Sequence, residues 1–542
     1  MSLCPPRPPY AAAVTDGSEG GAPTEVAAGQ RTSWSRVEVI VLVAVTLLAL
    51  VLRLYDISDP PEYVFDEVYY AKDACFYAGE LPQACDIDGS DEQTFVHPPL
   101  GKWAISAGVQ IFGFDSFGYR IVPAIAGVLT VALLFLLARR LTRSLVASGL
   151  AALLLAVDPL HFVQSRTSML DIFLPLFGLA AVLFLVIDRD QLLRRADAPL
   201  EQDGPTGAGR IRRPWRAAAG IAVGAAIATK WSGGLILLLI LFLALAWETA
   251  ARPETGRLRA FGRALRYEGG AIVLALVLLP LAVYLLSYIG RVDGDLLALP
   301  WQEGSVWRNL AQRHHDMFFF HKNLEATHNY QSPAWSWIAL KRPVSYFFCS
   351  GADCEPAVNE GIYQEILATG NPFAWWMSGL ALVFTAGVWS FRRNFRGPEG
   401  TILAGFALTY LPWIVLDIVG VSPRSAIFLF YLLPTIPFMY LALGYVASRL
   451  GTTWEAKAAI GLFTLGTIGL FAFYFPLLAK RSIPEPDWRR RLWIFANADQ
   501  CAKPPVAPAT VTTTTTEGGR VRTTTSTTTG DESRPPRGWC WI

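Results

Sequence analysis

Residues 37–55 read VEVIVLVAVTLLALVLRLY, a run with one acidic residue, one basic residue and no glycine or proline. About twenty apolar residues in a row are what a helix needs to cross the hydrocarbon of a bilayer. Only a helix or a closed barrel satisfies its own backbone there. No small-residue cleavage site comes after the run, so it reads as a retained anchor rather than a removable leader. Working outward, similar runs lie near 117–138, 145–162, 168–187, 215–231, 233–249, 270–289, 373–391, 400–418, 425–446 and 458–476. The expected fold is therefore all-α and membrane-integral, a polytopic bundle of about eleven transmembrane helices. Composition agrees. Of 542 residues 53% are hydrophobic and 17% charged, against about a quarter charged in soluble domains. That excludes a soluble enzyme, and no nucleic-acid partner is expected.

Lys and Arg in short loops set the orientation of such a bundle. Arg139, Arg140 and Arg143 fall on one side, as do Arg189, Arg194, Arg195, Arg210, Arg212, Arg213 and Arg216. So do Arg252, Arg257, Arg259, Arg263 and Arg266, then Arg392, Arg393 and Arg396. These loops imply a cytoplasmic amino terminus, an extracytoplasmic carboxyl terminus and a multi-pass protein of the plasma membrane. Lys480, Arg481 and Arg489 to Arg491 dissent, because they fall outside. The expected organisation is a disordered cytoplasmic tail 1–36, then a membrane module 37–290 with a first extracytoplasmic loop 56–117. Next come a large extracytoplasmic loop 291–372, a four-span region 373–476 and an extracytoplasmic tail 477–542, the tail Thr/Pro-rich from about 504. The tail's composition cannot bury a core and reads as a mucin-like extended segment. All six His and six of the seven Cys fall outside or at the outer rim. An oxidising compartment favours disulfides. Cys75 with Cys85, Cys349 with Cys354 and Cys501 with Cys540 are close enough in sequence to pair, although spacing alone does not establish connectivity.

Ionised groups beside hydrocarbon are costly, so their placement is informative. Asp66 and Glu67 lie about ten residues past the first span, and either is open to a reading as helix cap or surface ion pair. Their company argues for chemistry: Tyr69, Tyr70, Lys72 and Asp73, then His97-Pro98-Pro99-Leu100-Gly101-Lys102. Adjacent prolines stiffen the turn and remove two donors, Gly101 permits close approach, and Lys102 supplies a phosphate-seeking cation. His314, His321 and His328 recur every seven residues, which stacks them on one helix face. Seven residues separate their imidazoles by about 10 Å along the axis, too far for one ion, so no metal site is expected. The reading favours a helix lying along the membrane, with Met317 to Phe320 in the interface and some His facing substrate. Trp335, Trp337, Trp375 and Trp376 read first as interfacial belt residues.

Phe65-Asp66-Glu67 together with the later His97-Pro98-Pro99-Leu100-Gly101-Lys102 resembles the first luminal loop of the protein O-mannosyltransferase family. Tyr119-Arg120-Ile121-Val122-Pro123, Gln164-Ser165-Arg166 with Leu170-Asp171, and Thr229-Lys230-Trp231-Ser232-Gly233 resemble its later signatures. His321 through His328, Pro333 to Trp337 and Arg342-Pro343-Val344 resemble its carboxyl-terminal half. The match runs from about residue 50 to 495, in the family's order. Eukaryotic members carry a β-trefoil MIR insertion in the large outer loop, and its absence from the sequence makes the chain similar to the bacterial, actinobacterial-like branch.

The resemblance implies a GT-C membrane fold and an inverting transfer of mannose from a polyprenyl or dolichyl phosphate to Ser or Thr of secreted proteins. It implies Asp66 as the base and Glu67 as its orienting neighbour. Arg120, Arg166, Lys230, Lys102 and Arg424 are the cations for the departing phosphate, with His97 beside the donor. His321, His328 and Asp171 are acceptor-side candidates. No cofactor is expected, since the lipid-phosphate-mannose is itself the donor. The implied partners are that donor, membrane lipids and secreted Ser/Thr-rich polypeptides near the export translocon. Thr512 to Thr516 and Thr523 to Thr529 give the tail the composition of an O-mannosylation acceptor. The competing readings are a GT-C transferase acting on a lipid or glycan, and a non-enzymatic transporter or flippase. The latter predicts inverted repeats and charges at mid-membrane, and the sequence shows no internal repeat.

Overall fold

The computed structural model describes residues 34–492 except 80–81, 86–93, 95, 198–212, 252–255, 290, 293–294, 297–305, 324–327, 329, 355, 393–394, 396 and 420–425. It also describes the strands 509–517 and 520–528. Arg424, Cys501, Cys540 and nearly all of the amino-terminal tail lie outside the described residues.

The opening helix, Arg36–Leu54, starts at a capping box: Ser35 Oγ accepts from the Glu38 amide at 3.2 Å and Glu38 accepts from the Ser35 amide at 2.8 Å. This satisfies two of the orphan donors of a helix start. Its face bearing Ile40, Leu47 and Val51 is open, as a lipid-facing stripe requires. Arg53, wholly buried, turns inward, where Nη1 donates to the Ala156 carbonyl at 3.1 Å and Nη2 lies 2.8 Å from His161 Nδ1.

Among the described residues 8 helices are long and apolar enough to cross a membrane. A further pair, Leu145–Ala156 with Pro159–Ser165, qualifies as one span bent by 60°. The expectation of eleven had counted two more, Pro214–Thr229 and Ile436–Arg449, but these helices have only 16 and 14 residues. The first stops at Lys230, whose φ of −156° leaves the helical region. The second starts late, behind a 3₁₀ turn at Leu429–Leu432. Chain breaks inside apolar runs are tolerated where protein rather than lipid surrounds them, and most of Ile436–Arg449 is buried.

Asp158 sits in the bend and joins the halves of the bundle. It accepts from the His161 amide at 2.8 Å, from Trp375 Nε1 at 2.9 Å and from the Tyr440 hydroxyl at 2.5 Å. At the opposite end of the bundle Arg213 and Arg216 bridge Asp188, Glu248 and Glu268, and Arg140 pairs with Asp190 at 2.9 Å.

The face carrying Asp66 has a three-stranded sheet. Val344–Ser350 pairs antiparallel with Ile362–Ala368, whose first residues pair with Ile483–Pro484. The last span, Trp454–Leu478, thus delivers the chain to that face. There Lys480 Nζ lies 3.2 Å from Asp59 and Arg481 3.2 Å from Asp56, while Trp488, buried, donates to Glu365 at 2.9 Å. Two of the cations that dissent from the orientation reading thus have carboxylate partners in the first loop. Arg489 and Arg490 likewise pair with Glu485 and Asp487. Cys75–Cys85 and Cys349–Cys354 are disulfide-bonded. The Thr-rich segment, expected as a lone extended chain, forms an antiparallel ladder of Ala509–Glu517 with Arg520–Thr528.

Candidate active site

The loop after the first span turns at Phe65, which has φ of 51°. For a side chain larger than glycine this left-handed conformation costs about 1–3 kcal/mol and persists only where neighbours enforce it. Here the Phe65 ring stacks on Tyr346, with centroids 4.7 Å apart and planes 2° apart. The rings of His328, Phe428 and Phe430 meet it edge-on at 5.6, 5.8 and 5.9 Å. Asp66, half-buried, immediately precedes the helix Glu67–Ala78, and its side chain does not cap that helix. The Tyr346 phenol accepts a hydrogen bond from Gln164 Nε2. Burial pushes its pKa far above the ordinary value, and the charges of Asp171 and Asp66 push it further. Asp66, Asp171 and Tyr346 therefore share one electrostatic neighbourhood, with the phenol held neutral.

Lys230 closes that neighbourhood. Its Nζ lies 2.9 Å from both Asp171 oxygens and 4.6 Å above the Tyr431 ring. It is also 5.9 Å from the Phe430 ring that borders Phe65. The extended conformation that ends the helix at Lys230 is what brings the ammonium here. On another side, His97 and His321 stand with ring centroids 5.4 Å apart, and His321 Nε2 donates to the Val96 carbonyl at 2.9 Å. His314 and His321 both pack on Trp231, at 6.3 and 6.1 Å, so the seven-residue spacing does align them. Next to Phe65, His328 Nδ1 accepts from the Tyr330 amide at 3.1 Å, and burial depresses its pKa, keeping it neutral.

Three residues expected at the site make extensive contacts within the protein. Arg120, 1% exposed, donates Nε and Nη2 to Glu67 at 2.8 and 2.7 Å, Nη1 to the Ile57 and Pro60 carbonyls at 3.2 and 2.7 Å, and Nη2 to the Glu62 carbonyl at 3.1 Å. All five guanidinium protons are used within the protein. Glu67, fully buried, also accepts from the Val64 and Ser168 amides at 3.0 and 2.7 Å, so it holds the loop. Lys102 lies 2.6 Å from Asp73 and donates to the Thr94 carbonyl at 2.5 Å. Burial lowers its pKa. It fastens the loop.

Arg166 is intermediate between these cases. Its Nη2 donates to the Tyr55 and Asp56 carbonyls at 2.6 and 2.9 Å, and burial, helped by the charge of Arg120, lowers its pKa to about 10. Sequence reading missed Tyr346, because its partners Phe65 and Gln164 are remote along the chain and no local pattern marks it.

The fold thus brings Asp66, the Phe65–Tyr346 stack and the Lys230–Asp171 pair together at one end of the helical bundle. The fold has a solved counterpart. It superposes on the structure of the Saccharomyces cerevisiae protein O-mannosyltransferase Pmt1–Pmt2 complex bound to the sugar donor, with TM-score 0.64 and 15% identity, covering 85% of this chain and 93% of that one. The molecule shares the polytopic, largely helical membrane fold of that structure.

Two family models match in tandem: dolichyl-phosphate-mannose-protein mannosyltransferase over residues 43–291, and the C-terminal four-span region of protein O-mannosyltransferase over 306–496. A polyprenol-phosphate-mannose–protein mannosyltransferase of Mycobacterium tuberculosis (strain H37Rv) is 30% identical over 498 residues, 84% of this chain and 91% of the relative. One of Mycolicibacterium smegmatis (strain MKD8) is 29% identical over 496 residues, 83% and 91%. The chain belongs to the dolichyl-phosphate-mannose-protein mannosyltransferase family.

Proposed function

We propose that the chain moves mannose from a polyprenyl-phosphate-mannose to Ser and Thr hydroxyls of secreted polypeptides, inverting the anomeric centre, at the extracytoplasmic face of the cell membrane. The observation that carries the reading is that Asp66 and Asp171 both act electrostatically on the Tyr346 phenol, which stacks on Phe65, while Asp171 holds Lys230. A Ser or Thr hydroxyl is too weak an acid to ionise first, so a base must take its proton as the new bond forms. Asp66 is that base. The leaving phosphate is already an anion and needs a cation rather than an acid. Lys230 supplies it, with Asp171 orienting the ammonium. His97 lines the donor side, and His321 and His328 line the acceptor side. Arg166 backs the loop, and Arg424, a few residues before Phe428, is the further cation of this reading.

The Arg-rich loops Arg139–Arg140 and Arg213–Arg216 lie at the end opposite Asp66, which supports an extracytoplasmic site under the positive-inside tendency. The reaction needs no cofactor, because the donor carries its own activated leaving group. Membrane lipids surround the bundle, and acceptors arrive as extended chains near the translocon.

The test uses membranes containing the full chain, labelled polyprenyl-phosphate-mannose, a Thr-rich peptide, and lipid and glycan acceptors in parallel. Label on the peptide as an α-mannoside supports the reading. Label on lipid or glycan alone overturns it.

A further inference from the structure

We infer that the chain's own carboxyl-terminal Thr ladder is an acceptor for its own active site. The inference rests on the transfer activity proposed above and adds an acceptor to it. Three observations lead there. First, the last span returns the chain to the Asp66 face, and the chain is fastened there by groups of the first loop: Lys480 to Asp59 at 3.2 Å and Arg481 to Asp56 at 3.2 Å. Second, the turn that ends at Leu492 is pinned beside the site. Trp488 donates to Glu365 and its ring lies 5.6 Å from Phe348, two residues along the strand from the Tyr346 that stacks on Phe65. Leu492, 2% exposed, is the anchored end.

Third, the chain beyond Leu492 is rich in acceptor groups. Thr510, Thr512 to Thr516, Thr523 to Thr525 and Thr527 to Thr529, with Ser526, carry hydroxyls almost without interruption. Residues 493–509 lie between the anchor and this segment. Drawn out, a tether of that length reaches roughly 55–60 Å, ample for a site on the same face. Tethering at such a length holds the segment at an effective concentration of about a millimolar.

Ala509–Glu517 pairs with Arg520–Thr528, with Thr512 opposite Thr525 and Thr514 opposite Thr523. Only Ala509, Val511 and Val521 are apolar in these strands. A two-stranded hairpin without a hydrophobic face is marginal in water, so it opens readily into the extended chain that a transferase cup accepts.

In each turnover the Thr Oγ–C1 bond forms as the C1–O bond to phosphate breaks. The hydroxyl proton passes to Asp66 and the lipid phosphate leaves with the bonding pair. No redox partner is involved.

The experiment incubates the purified full-length chain with labelled polyprenyl-phosphate-mannose and an exogenous Thr-rich peptide, and reads label on both by intact mass and peptide mapping. Hexose is expected on residues 510–529. Its initial rate per enzyme should be unchanged across about tenfold dilution, as a tethered reaction requires. Replacing the twelve named threonines and Ser526 by Ala should reduce label on the chain at least about tenfold while leaving transfer to the peptide intact. A labelled peptide beside an unlabelled tail would refute the inference and leave the activity standing. A self-labelling rate that falls in proportion to dilution would refute the tethered route. Absence of label from both peptide and tail would sink the activity and the inference together.

Discussion

Arg120→Gln separates a scaffold from a phosphate clamp. In the structure the guanidinium makes a two-pronged pair with Glu67 and holds the carbonyls of Ile57, Pro60 and Glu62. Removing one partner of a buried pair typically costs about 3–5 kcal/mol, because the other charge stays buried without compensation. The three carbonyl bonds add about 1 kcal/mol each. The first of these decides the outcome. At about 1.4 kcal/mol per decade, it shifts the loop bearing Asp66 away from its working position by a factor of about 10² to several thousand. Transfer and thermal stability in detergent should therefore fall together. Glu67→Gln on top of Arg120→Gln removes the stranded charge and should restore about half of the lost stability and part of the activity, a coupling that a double-mutant cycle isolates. The assay pairs unfolding midpoints with initial transfer rates for the two single variants and the double variant. A single variant that melts like the parent yet transfers nothing, with no rescue by Glu67→Gln, would refute the scaffold role and return Arg120 to the phosphate.

Lys230→Met should behave in the opposite way. Initial rates at varied donor concentration are expected to drop about 10²–10³-fold, and Asp171→Asn should not rescue them; recovery in the double variant would make the pair merely structural. Lys102→Met should lower the unfolding midpoint while leaving donor KM unchanged, since its ammonium faces Asp73 and Thr94; a raised donor KM at unchanged midpoint would contradict this. Burial raises the Glu365 pKa from 4.5 to about 8, with Ser345 and Trp488 offsetting part of the shift. Its folded pKa lies above the unfolded one, so stability is full below pH 4.5 and declines up to about pH 8 at about 1.4 kcal/mol per unit. Glu365→Gln should flatten that decline in unfolding curves taken from pH 5 to 8, and an unchanged slope would exclude Glu365 as its source.

The bundle was legible in sequence because lipid enforces long apolar runs, as at 37–55. Its interruptions were less so. The stop at Lys230 and the late start at Ile436 lie inside apolar runs, and only packing against other helices tells a short buried helix from a full span. Charge type could be read along the chain, but charge partners could not. Arg120 pairs across 53 residues and holds backbone carbonyls that carry no sequence mark. Lys480 and Arg481 contradicted the orientation rule until their carboxylates appeared beside them. Asp66 and His97 stood out through motif resemblance, whereas Tyr346 acquires meaning only when the fold stacks it on Phe65.

The most direct measurement is transfer by Asp66→Asn, a nearly isosteric change that removes the proton-accepting carboxylate. A general base contributes about 10²–10⁴-fold. The variant should keep its unfolding midpoint and its affinity for polyprenyl-phosphate-mannose while transfer to peptide drops by at least about a hundredfold. Transfer within a few-fold of the parent, from a folded and donor-binding Asp66→Asn protein, would contradict the assignment of Asp66 as the base.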